Sequence, residues 1–406
     1  MKRILVIPDS ILGNDSGHRS TQFLVKTLRN EGFDIGVFAE DVPSYSSQKD
    51  LLQAQEGIHF FIKKPYRFTD QFFFYKKKVM SEFKKLLADF EPDLVFYFGT
   101  IGNKVSIDYL NSSDTDIPYV YLPLTNEFWC LKSFAGLKNG ECYKCMNQNF
   151  IHAFTNRCLD TNNPAPYLKR IVERIFSKNR FLNSKAVLGY SKSQIETFKM
   201  FGLPDNKAVP SNIFFEAKSL EGIASNKGDY YLVSGQLTDA KGWHLIPELL
   251  ELNSHNNLKF KFIIYNADVA NNFINKNDLQ RYIKSKKLEV VSGLESHKEV
   301  LNLVANSLAV IIPSNYPSTG EFALLEAMGL KKPVIAFNVG AHKDFLIDMN
   351  NSLVSSALDL KKMTKDLEML YKDENLWEKL SKNSRLTFEE ITNFDKNHSI
   401  IKTLNL

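Results

Sequence analysis

Long apolar runs are missing from the sequence. No stretch approaches the ~20 apolar residues that a membrane-spanning helix needs. The N-terminal MKRILVIPDS has a five-residue apolar core, which is shorter than the ~7–15 residues of a signal peptide. We therefore expect a cytoplasmic protein in a reducing compartment.

Positive and negative charges nearly balance, because 51 Lys and Arg residues and 46 Asp and Glu residues give a net charge of +5. This mild excess is not the concentrated basic charge of a nucleic-acid-binding protein, so no nucleic-acid partner is expected. Short-period repeats and low-complexity tracts are also missing, which argues against a repeat protein. With 44% hydrophobic and 24% charged residues over 406 positions, the chain can form two globular domains, each with its own core.

The first half of the sequence alternates apolar strands with amphipathic helices. RILVIP is followed by a glycine-containing loop, by TQFLVKTLRNEG with apolar residues at helical spacing, and by the strand DIGVFAE. This order is typical of the βαβ start of a doubly wound parallel sheet. Two more runs suit central strands, DLVFYFG (93–99) and YVYLPL (119–124), and KAVLGYS (185–191) is a further strand.

A second start of the same kind follows the polar stretch 216–229. GDYYLVSGQLTDAKGWHLIPELLEL again reads as strand, turn and helix, and KFKFIIYN, LEVVSG, LAVIIP and KPVIAFN continue the strands. The sequence therefore predicts an α/β fold with two Rossmann-like domains, 1–212 and 213–385, whose parallel sheets face each other across a cleft. Residues 386–406 are predicted to form a C-terminal helix that packs back toward the first domain.

PSNYPSTGEFALLEAMG (313–329) places two carboxylates, Glu321 and Glu326, beside a strand-to-helix turn. The small polar residues of the turn let backbone amides face a ligand, and the helix N-terminus favours a phosphate. A carboxylate one turn inside the helix suits the hydroxyl groups of a ribose. Alternatively, both acids only complement the helix dipole.

The stretch 313–346 resembles the donor-site signature of the family 4 retaining glycosyltransferases, whose two Rossmann-like domains form the arrangement called GT-B. Glu326 matches the family's second glutamate, which holds the donor ribose. Ser318 stands where the first glutamate would be, and Asp344 takes the place of the acid after the glycine turn. Glu321 stands where the family has a small residue, so it either compensates for Ser318 or caps the helix.

The resemblance extends to GQLTDAKGWHLI (235–246) and LEVVSG. Lys241 matches a lysine that binds the nucleotide diphosphate, a role that suits a point charge at a loop–helix junction; a solvent-exposed lysine is the alternative. Gln236 stands where the family has an arginine, and Gly293 matches the loop near the base. In the first domain, Gly17 lies in the place of a glycine-rich loop, and Asn126 in NEFW stands where a histidine would be.

The resemblance implies retaining transfer of a sugar from a nucleotide diphosphate sugar, a UDP- or GDP-sugar, to a glycan, lipid-linked or other acceptor. No catalytic divalent metal and no protein nucleophile are expected. It implies catalytic roles for Glu326, Lys241, Glu321 and Asn126, and donor contacts for Gly17, Gly235, Gln236, Gly293, Ser318, Thr319, Gly320, Phe322, Ala323 and Leu324. Because Ser318 and Gln236 depart from the pattern, a catalytically weak nucleotide-sugar-binding or scaffold subunit is an alternative. A sugar-nucleotide epimerase of the same architecture is another.

All four cysteines, Cys130, Cys142, Cys145 and Cys158, fall within one segment and include a C-x-x-C pair. Four thiolates can close the coordination shell of a structural zinc ion, which is the favoured prediction. An iron–sulfur cluster and four thiols without a metal are the alternatives. The segment also resembles a cysteine-bearing insertion in a subset of these glycosyltransferases.

The stretch 63–90 combines lysines with apolar residues at helical spacing. Such a helix can lie on an anionic membrane at the inner face of the bilayer. It can equally pack its aromatic face on the first sheet with its lysines in water, and this second interpretation is favoured.

Overall fold

The computed structural model describes residues 1–8, 11–13, 16–40, 46–63, 74–99, 104–112, 115–137, 140–159 and 161–393. The chain divides into two compact units. Among the described residues, the first comprises those within 1–133 and 143–216, and the second comprises those within 134–142 and 217–393. Residues 394–406, the greater part of the predicted C-terminal helix, lie outside the described residues.

The apolar runs of the sequence form parallel strands, because runs buried on both faces suit a sheet covered by helices. The strands are β1 (Arg3–Ile7), β2 (Asp34–Glu40), β3 (His59–Lys63), β4 (Leu94–Gly99), β5 (Tyr119–Pro123), β6 (Gly136–Leu137), β7 (Gly140–Glu141), β8 (Ala186–Gly189), β9 (Ala208–Pro210), β10 (Tyr230–Ser234), β11 (Lys259–Ile263), β12 (Leu288–Val291), β13 (Ala309–Ile312), β14 (Val334–Phe337) and β15 (Ser352–Ser355).

Helices connect these strands. They are α1 (Ser16–Asn30), α2 (Ser46–Glu56), α3 (Phe74–Phe90), α4 (Lys104–Leu110), α5 (Ile151–Thr155), α6 (Pro164–Asn183), α7 (Lys192–Met200), α8 (Ile246–Leu252), α9 (Ala267–Lys276), α10 (Gln280–Lys284), α11 (His297–Ala305), α12 (Phe322–Gly329), α13 (His342–Phe345), α14 (Leu360–Lys372) and α15 (Glu374–Thr392).

Each unit contains one parallel sheet. The first sheet has seven strands in the order β3-β2-β1-β4-β5-β8-β9, and the second has six in the order β12-β11-β10-β13-β14-β15. The second order is the doubly wound 3-2-1-4-5-6 arrangement, in which ligands bind where the strand order reverses. The prediction of two Rossmann-like domains is confirmed, and in the second unit the reversal lies between β10 and β13.

The stretch predicted as a membrane or packing helix belongs to α3. Its apolar residues Val79, Phe83, Leu86 and Phe90 are buried, and the Phe83 ring centroid lies 5.5 Å from that of Phe38 on β2. In the described part of 63–90, these apolar side chains therefore pack on the first sheet. The structure does not support the membrane contact. Residues 64–73 lie outside the described part.

Among the described residues, no helix is both long enough and apolar enough to cross a bilayer.

Candidate functional site

The candidate site lies at the carboxyl ends of β10 and β13, the neighbouring strands at the reversal point of the second sheet. The loop 235–242 follows β10, and the loop 313–321 follows β13. Gly235 opens the first loop with φ +133°, and a Cβ added there would meet nothing within 4 Å. Open space beside a backbone that only glycine adopts easily permits close approach of a ligand.

The two loops are fastened to each other. A Cβ added to Gly242, whose φ is +74°, would lie 1.9 Å from the Pro313 carbonyl oxygen, so only glycine fits this contact. The Asn315 amide donates to the Ala240 carbonyl at 3.1 Å. These contacts fix Lys241, which lies between Ala240 and Gly242, against the loop that leads into α12.

Lys241 is held in a partly buried ion pair. Its Nζ donates to Glu321 Oε2 at 2.7 Å and to the Tyr316 hydroxyl at 3.0 Å. Burial disfavours the ammonium ion, but the Glu321 carboxylate outweighs this effect and holds the pKa of Lys241 above its usual value. Since an ammonium group has three donors, one N–H remains for an anionic ligand.

Glu321 occupies the N-cap position of α12 but makes no side-chain capping hydrogen bond. Burial disfavours its carboxylate, yet Lys241 and His342 together hold the pKa of Glu321 well below its usual value. Its second oxygen, Oε1, lies 3.5 Å from His342 Nε2 and has no hydrogen-bond partner within the described structure. A buried ionised oxygen in this position can accept a hydrogen bond from a ligand hydroxyl.

Glu326 lies further along α12 and is also buried. Its Oε1 is 2.8 Å from Nε2 of His297, the first residue of α11. Because a carboxylate only accepts, this ring nitrogen carries the proton. The structure therefore pairs Lys241 with Glu321, while Glu326 is oriented by His297, a residue that the sequence pattern did not single out.

Ser318 is buried in the turn between β13 and α12. Its Oγ is one of the buried side-chain atoms without a hydrogen-bond partner in the part of the chain that the structure describes. The turn is packed closely against the loop after β14, since the Ala341 amide donates to the Ser318 carbonyl at 2.9 Å. A Cβ added to Gly340 would lie 2.3 Å from the Ser318 nitrogen. The neighbouring predicted residues Thr319, Gly320, Phe322, Ala323 and Leu324 continue from this turn into the first turn of α12.

A hairpin from the first half of the chain, β6–β7, belongs to the second unit and packs on this site. Glu141 accepts hydrogen bonds from the Gly340 amide and from Lys343 Nζ, both at 2.6 Å. The Phe134 ring meets Tyr316 edge-on, with 5.6 Å between the centroids. The sequence did not predict this hairpin, because strands of two residues are too short to show the alternation of apolar and polar residues.

The other predicted residues occupy different places. Gln236 and Gly293 are exposed in the loops after β10 and β12, and a Cβ added to Gly293 would meet nothing within 4 Å. Asp344 lies within α13. Gly17 in α1 and the buried Asn126 belong to the first unit.

The structure does not support the predicted zinc site. Within the described residues, which include all four cysteines, no group of three or more His, Cys, Asp or Glu side chains is placed to hold a metal ion. All four cysteines are thiols. Cys142 follows the β6–β7 hairpin, and its amide donates to the Ala135 carbonyl at 2.7 Å. Among the described residues, proximity in sequence therefore did not become the tetrahedral cluster that zinc requires.

Among the comparisons with known proteins, a family model matches the second unit. Residues 216–387 match the family model described as glycosyl transferases group 1. The match spans less than half of the 406 residues and contains both fastened loops and α12. A search of curated proteins found no match.

Solved structures share the fold over the whole chain. Sucrose-phosphate synthase from Thermosynechococcus elongatus is 13% identical, with 100% of this chain and 98% of that chain covered and a TM-score of 0.70. Anabaena Alr3699/HepE, solved in complex with UDP-glucose, is 14% identical, with both chains covered to 100% and a TM-score of 0.69. TarM from S. aureus, solved as a variant with fondaparinux, alpha-GlcNAc-glycerol and UDP, is 12% identical, with both chains covered to 100% and a TM-score of 0.68. The predicted GT-B fold class is thereby confirmed.

Proposed function

We propose that the protein is a retaining glycosyltransferase that moves a sugar from a nucleoside diphosphate sugar to a hydroxyl group of a glycan or lipid-linked acceptor. The observation that carries the proposal is the ion pair of Lys241 with Glu321 at the reversal point of the second sheet, beside the open backbone of Gly235. The match of residues 216–387 to group 1 glycosyl transferases supports the same activity.

The chemistry of transfer requires that negative charge on the departing diphosphate be stabilised. Lys241 would supply its remaining N–H to a phosphate oxygen, and the N-terminus of α12 would add the partial positive charge of the helix dipole. Since both groups are fixed before the donor binds, little reorganisation accompanies bond cleavage. In this proposal no side chain attacks the sugar. The acceptor oxygen bonds to the anomeric carbon on the face from which the diphosphate leaves, the bond between that carbon and the diphosphate oxygen breaks with its electron pair on the oxygen, and the departing diphosphate takes the proton of the acceptor hydroxyl.

The two carboxylates of α12 would have different tasks. Glu326, oriented by His297 at 2.8 Å, would accept hydrogen bonds from the ribose hydroxyls. Glu321 would accept a hydrogen bond from the sugar through Oε1 while Oε2 holds Lys241. Two observations support this assignment: Glu321 makes no side-chain capping hydrogen bond, and it stands close to the place expected for the glutamate that Ser318 replaces.

We propose a UDP-sugar as donor, because HepE was solved with UDP-glucose and the TarM variant with UDP. Incubation of the purified protein with labelled UDP- and GDP-sugars tests the proposal by release of the nucleoside diphosphate. The double variant Lys241→Met/Glu321→Gln, which removes both charges together, should lose at least about a hundredfold in release rate.

The same incubation separates the alternatives. Binding of a nucleotide sugar without turnover would identify a binding or scaffold subunit, as the departures at Ser318 and Gln236 allow. Conversion of the donor to an epimeric sugar nucleotide would identify an epimerase. Inverted configuration in the product, read by NMR of the anomeric proton, would contradict the retaining mechanism.

A further inference from the structure

His342 is a fully buried histidine whose ring lies against the candidate donor site. It is the first residue of α13, the short helix after β14, and its exposed fraction is 0%. Its Nδ1 lies 2.9 Å from the carbonyl oxygen of Phe337, the last residue of β14. Its Nε2 lies 3.5 Å from Glu321 Oε1. The imidazole therefore bridges the end of β14 and the carboxylate that holds Lys241.

Both ring nitrogens of His342 face groups that only accept hydrogen bonds. Nδ1 carries a proton, because the Phe337 carbonyl is an acceptor. Glu321 is ionised, since Lys241 overcomes the effect of burial and holds the pKa of Glu321 below its usual value. A neutral imidazole would then direct the lone pair of Nε2 at Oε1, and neither atom has a hydrogen-bond partner within the described structure. A second ring proton, on Nε2, removes this conflict.

A further cation matters to the donor site because Lys241 and Glu321 largely cancel each other. Their Nζ and Oε2 atoms are 2.7 Å apart, and such a pair attracts a diphosphate less strongly than a free ammonium group does. An imidazolium at His342 gives the three side chains together one net positive charge. Glu321 then compensates two cations at once, so more of the ammonium charge is available to a phosphate oxygen.

The other ionisable side chains around α13 do not supply this charge. Lys343 Nζ binds Glu141 Oε2 at 2.6 Å, which is a second pair without net charge. Asp344, the acidic residue of α13, has the opposite sign. Burial raises the pKa of Tyr316, so the hydroxyl beside the ammonium group stays neutral. Among the described residues, Glu321 is the charged side chain at ion-pair distance from the imidazole ring.

We propose that His342 is an imidazolium and a positioning residue of the donor site, sharing Glu321 with Lys241 so that the ammonium group can bind the diphosphate. Oε1 has two lone pairs, so it can accept from the imidazolium and also from a sugar hydroxyl. The role in donor binding rests on the proposed function, whereas the protonation state of His342 can be measured without a ligand.

NMR of the ring nitrogens, with isotope-labelled histidine in the ligand-free protein, tests the protonation state. The chain has eight histidines, so the His342 signals are assigned by their loss in His342→Gln. His342→Asn, whose amide can still donate to the Phe337 carbonyl, gives the same assignment if the first variant is unstable. At neutral pH we expect both nitrogens of His342 to be protonated, and Glu321→Gln should make the ring neutral. A neutral ring in the wild-type protein would overturn the proposal.

Calorimetric titration with UDP over a range of pH tests the role in donor binding. His342→Gln keeps a donor near the position of Nε2 but lacks the charge, so UDP affinity at neutral pH should fall about tenfold. The ratio of wild-type to His342→Gln affinity, in which the titration of UDP itself cancels, should approach one as the pH rises and the imidazolium loses its proton.

The matched control is His255→Gln, because the His255 side chain is 69% exposed and pairs with Glu368. This variant should bind UDP like the wild type at every pH. An affinity ratio for His342→Gln that does not change with pH would overturn the positioning role. An imidazolium in a protein that binds no UDP at any pH would contradict the proposed function, and not the charge assigned to His342.

Discussion

At the scale of single residues, the site depends on one ammonium and one carboxylate that hold each other. Lys241 and Glu321 come from loops 80 residues apart, so no sequence spacing could pair them. The sequence did identify both residues, because a lysine at a loop–helix junction and an acid beside a strand-to-helix turn are unusual locally. The sequence could not show that these two residues contact each other, because the contact depends on the strand order that brings their loops together.

Removing only one member of this pair should destabilise the second unit. Lys241→Met leaves the Glu321 carboxylate buried without its principal partner, and we expect a loss of about 3–5 kcal/mol in the free energy of unfolding. The double variant Lys241→Met/Glu321→Gln should recover most of this loss, as urea denaturation would measure. Equal stability of the wild type and the single variant would show that the pair is not a buried ion pair in solution.

The pair also determines how stability depends on pH. The folded-state pKa of Glu321 lies below its ordinary value of 4.5, so its contribution is present above pH 4.5 and is lost as the pH falls through the folded pKa. Glu321→Gln should therefore flatten the acid side of a stability–pH curve recorded by urea unfolding. A curve that Glu321→Gln leaves unchanged below pH 4.5 would argue against an ionised buried carboxylate.

Glu326 should determine the preference for ribose over deoxyribose. If its carboxylate accepts from the ribose hydroxyls, wild-type protein should bind UDP roughly tenfold or more tightly than 2′-deoxy-UDP, because hydrogen bonds to charged groups are strong. Glu326→Ala should bind the two nucleotides equally in calorimetric titrations. Glu378→Ala, an exposed position on α15, is the control and should keep the preference. Retained discrimination in Glu326→Ala would remove Glu326 from the ribose site.

At the scale of secondary structure, periodicity predicted the long apolar strands well. The predicted strand DIGVFAE has the same bounds as β2, and the predicted runs at 93–99 and 119–124 correspond to β4 and β5. The edge strands β3, β9 and β15 went unpredicted. The strands β9 and β15 are only three and four residues long, which is too short for a periodic signal, whereas β3 (HFFIK) has three consecutive apolar residues and was missed. The cysteine segment was interpreted as a metal site, whereas the structure uses part of it as the β6–β7 hairpin.

The hairpin should support donor binding through Glu141. Glu141→Ala removes the acceptor of the Gly340 and Lys343 bonds, which releases the loop that backs Ser318. We expect UDP affinity to fall several-fold, equivalent to about 1 kcal/mol, with the fold intact. Glu289→Ala, which breaks the exposed ion pair with Lys261, should leave affinity unchanged. An equal effect of both substitutions on affinity would mean that the hairpin has no specific role.

At the scale of the whole molecule, the candidate donor site belongs to one of the two units. The second unit contains the candidate donor site and the match to glycosyl transferases group 1. The sequence pattern predicted both parallel sheets and the loops of the candidate site, because apolar runs and turn residues are local in the chain. It did not predict His297 as the partner of Glu326, because that contact joins two separate helices.

Hydrogen–deuterium exchange of the full chain with and without UDP would locate the donor site, because ligand contact slows exchange where the backbone becomes protected. We expect slower exchange in residues 235–242 and 313–326, with the strands of the first sheet unchanged. Protection confined to other segments, or no protection at saturating UDP, would contradict a donor site at Lys241, Glu321 and Glu326.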